Sequence, residues 1–161
     1  MRFDPKRYAS ADEVQSGRVR RIFDYWCGKA SGGRIPLRAS IDPTELVDLL
    51  PCLMIVEVIE GRFRYRLVGT EVAANAGGDF TGCFLDAQNF ANRDFYLACY
   101  REVLKGAAPV FGLDHWAYSD GRSGVAEFAM LPLSVDGTAV AQILTMEDTK
   151  EVASPGRNAV R

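Results

Sequence analysis

The chain has a single histidine, His115, so any haem, zinc or general-base chemistry must run through that one side chain. Its neighbour Asp114 is poorly placed to orient it, because adjacent residues of an extended segment point to opposite faces. Another acid could still orient the ring after folding, so acid–base catalysis through His115 stands as an alternative. One titratable residue without a visible partner reads first as structural or pocket-lining. The four cysteines, Cys27, Cys52, Cys83 and Cys99, stand 25, 31 and 16 residues apart. No pair has the spacing of a zinc knuckle or a redox motif. Each sits among apolar residues, where a reduced thiol packs as a small hydrophobe. No catalytic residue and no metal ligand is assigned. Arg62, Arg64 and Arg66 alternate along one segment, and such a stripe is ordinarily a solvated strand face rather than an anion site.

The elements that carry these residues follow from periodicity and punctuation. Ser10 followed by Glu13 has the form of a capping box. An apolar helical rhythm then runs through Val14, Val19, Ile22, Phe23 and Trp26, predicting a helix over Ala11 to Ala30 that Gly32-Gly33 stops. Asp42 caps a short helix with Pro43 in its first position, and Pro51 ends it. Leu53 to Ile59 is an apolar, β-branched run, as expected of a strand covered on both faces. Glu60-Gly61 turns the chain into Arg62 to Val68, where Phe63, Tyr65 and Leu67 are expected on one face and the arginines on the other. Gly69 to Ala76 reads as helical, Phe80 to Asn89 as a loop, and Phe90 to Lys105 as a long amphipathic helix. Three strands follow, Val110 to Tyr118, Gly124 to Ser134 and Thr138 to Met146, with turns at Ser119-Asp120-Gly121 and Val135-Asp136-Gly137. Residues from Asp148 onward are polar and read as a loose tail.

Bulk properties bound the function. The 161 residues suffice for one domain with a sizeable core. With 48% apolar and 25% charged residues the composition is ordinary for a globular protein, and a net charge of -2 gives no field favouring nucleic acid. The N-terminus lacks the apolar core of a signal peptide, and the most apolar window, Leu49 to Ile59, is too short to span a bilayer. A cytoplasmic protein without membrane or nucleic-acid contact is expected.

The order of elements predicts an α+β domain with one antiparallel sheet. The string LLPCLMIVEVIEGRFRYRLVGT resembles short bacterial PAS-domain proteins, as do Tyr25-Trp26, Pro36 and Arg38, Asp42-Pro43, Thr81-Gly82 and LPLS from Leu131 to Ser134. The resemblance covers most of the chain, from Phe23 to Met146. It implies a five-stranded antiparallel sheet with helices on one face and an additional N-terminal helix. Residues 1–40 would be the N-terminal helix and linker, 41–147 the PAS-like domain and 148–161 a flexible tail.

It also implies a sensory or protein-interaction module in bacterial signalling, not an enzyme, whose output passes to a separate signalling partner. The alternative is a small isomerase- or dehydratase-like enzyme using His115. TGCFLD, from Thr81 to Asp86, has a passing likeness to the cysteine loop of flavin-binding light sensors, yet the polar companions that hold the flavin are missing. Haem-binding PAS domains take their axial histidine from the long helix, whereas His115 falls in a strand. No cofactor is therefore expected. The sheet and its covering helices would enclose a small apolar ligand, with Tyr65, Asn75, His115, Trp116, Phe128, Met130 and Gln142 as the candidate lining. A homodimer through the N-terminal helix is expected as well, with Ile22 and Trp26 at or beside the interface.

Overall fold

A computed structural model describes residues 4–117 and 122–152. The first hairpin shows how directly local chemistry sets the architecture. Strand β2, Leu53–Ile59, and strand β3, Arg62–Val68, are joined by Glu60 and Gly61, both with positive φ (50° and 76°). Two such residues make the tight turn whose twist matches the flanking strands. At the far end of the chain, β4 (Val110–Ala117), β5 (Ser123–Leu133) and β6 (Gln142–Val152) form an antiparallel meander. Pairing of β2 with β6, from Leu53 opposite Met146 to Glu57 opposite Gln142, welds the two hairpin systems into one sheet.

Among the described residues the sheet has six strands in the order β1-β4-β5-β6-β2-β3. Five are the expected ones. The sixth, β1, is the pair Lys6–Arg7 against Leu113 and Gly112 on the edge of β4. Two residues without apolar alternation carry no strand signal of their own, and the edge of β4 supplies the template. A Cβ on Gly112 would collide with the Phe128 ring and the Lys6 carbonyl, so this glycine admits both the edge strand and the core aromatic.

Helices cover both faces of the sheet. On one lie α2 (Thr70–Ala76) and α3 (Arg93–Gly106), whose Val72, Tyr96, Leu97, Tyr100 and Val103 pack with Val56, Phe63, Phe128, Met130 and Ile143. On the other lies α1 (Gly17–Lys29), whose Val19 and Ile22, both 0% exposed, pack with Leu53, Ile55, Leu131, Leu144 and Met146.

Several boundaries differ from the sequence expectation for identifiable reasons. The helix predicted from Ala11 is split into a 3-10 turn, Ala11–Glu13, and α1. The Ser10 hydroxyl accepts from Asp12 N, and Glu13 Oε2 accepts from Ala9 N, so the expected box closes one residue away on each side. Strand β6 runs on to Val152, so residues 148–152 are not a loose tail. Asp148 is 9% exposed and accepts from the Ser16 hydroxyl at 2.6 Å. The predicted turn at residues 119–121 and the remainder of the tail, 153–161, lie outside the described residues. Leu67 leaves the face of Phe63 and Tyr65. The register of β2 against β3 skips from Tyr65 opposite Val56 to Leu67 opposite Ile55. That bulge at Arg66 reverses the alternation and turns Leu67 outward, where it is 45% exposed.

Candidate ligand cavity

Between the sheet and the helices α2 and α3 lies a cavity of about 970 Å³. Its apolar wall comes from Met54 on β2, Val72 on α2, Phe80 in the following loop and Trp116 on β4. Small residues on β5 keep it open. Trp116 stands opposite Gly124, and a Cβ there would overlap the indole ring, so the glycine lets that ring lie flat against the strand. Ala126, the next β5 residue of the same face, also borders the space. Helix α2 ends at Gly77 in the left-handed region (φ 83°), which turns the chain into the loop that forms the rim.

The polar side of the cavity is built on β4 and β6. Asp114 is 7% exposed and its carboxylate is well furnished. The Tyr96 hydroxyl donates to one oxygen at 2.8 Å, and Asn92 Nδ2 and the His115 backbone N–H donate to the other, both at 2.8 Å. Asn92 stands before α3 in the left-handed conformation (φ 62°) that asparagine tolerates better than most residues, and its amide goes to Asp114 instead of capping the helix. Glu147 lies on β6 opposite Phe128 and borders the same cavity. No side chain among the described residues donates to it. Burial, together with the charge of Asp114, pushes its carboxyl up to about 7. The Tyr65 side chain is buried, borders the cavity, and has no hydrogen-bond partner for its hydroxyl among the described residues. Burial raises the Tyr65, Tyr96 and Tyr100 hydroxyls above the usual phenol range, so all three remain neutral; Tyr100 is paired with the Thr145 hydroxyl at 3.0 Å.

Of the residues chosen from sequence, Tyr65, Asn75, His115 and Trp116 border the cavity. Phe128 and Met130 do not: both are 0% exposed and fill the core beneath α3. Gln142 also lies away from it, at the start of β6, where it pairs with Leu133 and Glu57. The carboxyl pair Asp114 and Glu147 was missed as a pocket feature. Asp114 drew notice only as a neighbour of His115, and Glu147 stands one residue past the predicted end of its strand. Extending the Ile143, Thr145 alternation by two residues would have placed Glu147 on the inner face.

Neither cofactor-type side chain joins a binding set. Cys83 is outside the cavity wall, held in a loop whose Gly82 N–H donates to the Tyr65 carbonyl at 2.6 Å and whose own carbonyl accepts from Tyr65 N at 3.0 Å. His115 is on β4, and strand alternation sends its side chain to the face shared with Leu113, opposite Asp114. The hydrogen bond that joins His115 to Asp114 is made by its backbone N–H, at 2.8 Å. The described residues contain no group of three or more His, Cys, Asp or Glu able to hold a metal ion, and no helix among them is long and apolar enough to cross a membrane. Each arginine of the β3 stripe has an internal carboxylate. Arg62 makes two bonds to Asp86 (2.9 and 2.7 Å) and lies over the Phe84 ring, while Arg64 and Arg66 face Glu57.

A search among proteins of curated function finds no match. Among solved structures, an RNA-binding light-oxygen-voltage receptor aligns with a TM-score of 0.47 at 14% identity, over 74% of this chain and 36% of that one. This chain therefore spans about a third of that receptor's length. The family model for the PAS domain matches residues 14–146. That span takes in all three helices, strands β2 to β5 and the first half of β6, with the whole wall of the cavity up to its last residues, Glu147 and Thr149. The chain belongs to the PAS domain family.

Proposed function

We propose that this PAS domain is a sensory module that binds a small organic ligand in the cavity between α2, α3 and the sheet. The observation that carries the reading is the cavity itself. Its size is within the ~300–1,000 Å³ usual for small-molecule sites, and it combines a mostly apolar wall with a few convergent polar groups. Ligand binding would act by favouring one of two states of the domain, which a signalling partner would read.

The enzymatic alternative asked for His115 bonded to a buried carboxylate. Asp114, the buried carboxylate beside His115, accepts from the His115 backbone N–H, Asn92 and Tyr96, and this supports the binding reading. A homodimer through α1 remains part of the proposal, with its contact moved to the exposed side of the helix, at Arg20, Arg21, Asp24 and Cys27.

Native mass spectrometry of freshly purified protein tests the ligand reading. A retained mass of a few hundred daltons is expected, together with its loss in Ala126→Phe, where the new ring fills the space beside β5. A protein that retains nothing, and in which a broad fragment set moves neither the Trp116 indole nor the Met54 methyl resonance, would overturn it.

A further inference from the structure

The charge of the cavity wall is one-sided. Asp79, Asp114 and Glu147 border it, and no Lys or Arg among the described residues does. Asp79 sits at the exposed rim, where its carboxylate already accepts from the N–H and hydroxyl of Thr81. The inner pair differs. Asp114 has three donors, from Asn92, Tyr96 and the His115 backbone, which leave room for one more on the oxygen that Tyr96 meets. Glu147 has none among the described residues, although it could accept several. A buried carboxylate is normally given donors by the fold. Here the fold supplies them to Asp114, while the half-buried Glu147 faces open space with none among the described residues.

A second observation points to the same spot independently. The Tyr65 side chain, 6% exposed, borders that space with its hydroxyl unpartnered among the described residues. Aromatic rings line much of the remainder: Tyr65 meets Phe80 edge-to-face at 4.6 Å, and Tyr96 and Trp116 also border the space. Aromatic faces attract organic cations, and the attraction grows when water is excluded. Anions find nothing comparable.

Resting on the ligand-binding reading above, we propose that the cavity selects a small organic amine, bound as its ammonium ion. The N–H donors of the ammonium go to Glu147 and to the free position on Asp114. Its hydrocarbon body lies against Met54, Val72 and Phe80, and the Tyr65 hydroxyl is available to a further polar group of the ligand. The cation replaces the missing donors and cancels the repulsion between the two carboxylates. The titratable groups that face Glu147 are Asp114 from β4, Tyr65 from β3, and Tyr96 and Tyr100 from α3. The three tyrosines stay neutral, so Glu147 is the group that changes charge when the ammonium enters. Amine binding is accordingly coupled to loss of a proton from Glu147.

The test uses three probes of one skeleton with the full chain: 3-phenylpropylamine, 3-phenylpropanol and 3-phenylpropanoate, titrated by calorimetry and followed at the Trp116 indole resonance. At pH 8 the amine should bind at least tenfold more tightly than the alcohol, with the carboxylate weakest. Amine affinity should rise about tenfold from pH 6 to pH 8, because Glu147 titrates at about 7 and the amine stays protonated throughout. Glu147→Gln should erase both the preference and the pH dependence while leaving the alcohol within twofold. If the alcohol binds as tightly as the amine and moves the cavity resonances, the charge selectivity is wrong and the ligand-binding reading survives. If none of the three moves a cavity resonance, both are overturned.

Discussion

Glu147 couples the protonation of one side chain to the stability of the whole protein. Its carboxyl titrates at about 7 in the folded chain against 4.5 in the unfolded one, mainly because burial disfavours the charged form and secondarily because Asp114 repels it. A raised acid pKa means that the folded state holds the proton more tightly. Stability is then highest below about pH 4.5, falls as pH rises through the window to about 7, and stays at the lower level above it. The full difference amounts to at most roughly 3 kcal/mol, less what cavity water screens. Glu147→Gln removes the ionisable group and so should remove the decline. We expect the variant to equal the native protein near pH 4 and to exceed it by about 1–3 kcal/mol at pH 8 in urea titrations. Parallel pH profiles for the two proteins would show that Glu147 is already solvated or paired. Asp114, two strands away on the same face, illustrates the contrast: Tyr96, Asn92 and the His115 backbone supply three donors from the protein itself.

At the scale of elements, α1 shows what the sequence could and could not announce. The stripe of Val19, Ile22, Phe23 and Trp26 announced a helix with one apolar face, and that helix exists. Its start was not legible, because the residues that fix it are remote. Ser16 is the N-cap: its hydroxyl accepts from Val19 N at 3.1 Å and donates to Asp148 at 2.6 Å. Its backbone N–H and that of Gln15 both go to Glu127 on β5, which also accepts from the Tyr8 hydroxyl at 2.7 Å. Nothing in SADEVQSGR favours Ser16 over Ser10 until Glu127 and Asp148 arrive on the outer face of the sheet. The same distinction runs through the cavity. Tyr65, Asn75 and Trp116 were legible from alternation and helix position, whereas Glu147 was hidden by a strand that outlasts its apolar residues. Phe128 and Met130 read as lining because they are apolar residues of a central strand, but α3 packs directly on them. Which part of a face is covered depends on where the helix lies, and that is a tertiary fact. Ser16→Ala removes a cap worth about 1–2 kcal/mol and leaves Asp148 with only the more distant Arg18 guanidinium at 3.6 Å. A loss of about 1–3 kcal/mol is expected, read as a lower urea midpoint at unchanged slope. An unchanged midpoint would mean that the Ser16 hydroxyl, with its bonds to Val19 N and Asp148, does not hold α1.

For the whole molecule the question is whether α1 closes the sheet within one chain or between two. An exposed apolar stripe would have argued for a shared helix, but Ile22 and Val19 are 0% exposed against Leu53, Ile55, Leu144 and Met146 of their own chain. Trp26 is anchored the same way, its indole N–H donating to the Pro132 carbonyl at 2.8 Å. Ile22 therefore packs in the core of its own chain, and a dimer contact through α1 would have to use the exposed side of the helix. The two roles differ in how the effect of a mutation depends on concentration. Truncating a core side chain costs about 2–5 kcal/mol whatever the protein concentration, since folding of one chain is unimolecular. Truncating an interface side chain weakens a bimolecular step, so its apparent cost varies with dilution. Ile22→Ala should lower the unfolding midpoint by the same amount at 1 µM and at 100 µM, and the milder Ile22→Val should do so by about 0.5–1.5 kcal/mol if the alanine variant is too unstable to purify. A midpoint shift that changes across that hundredfold range would place Ile22 between two copies and return α1 to the role of a shared helix.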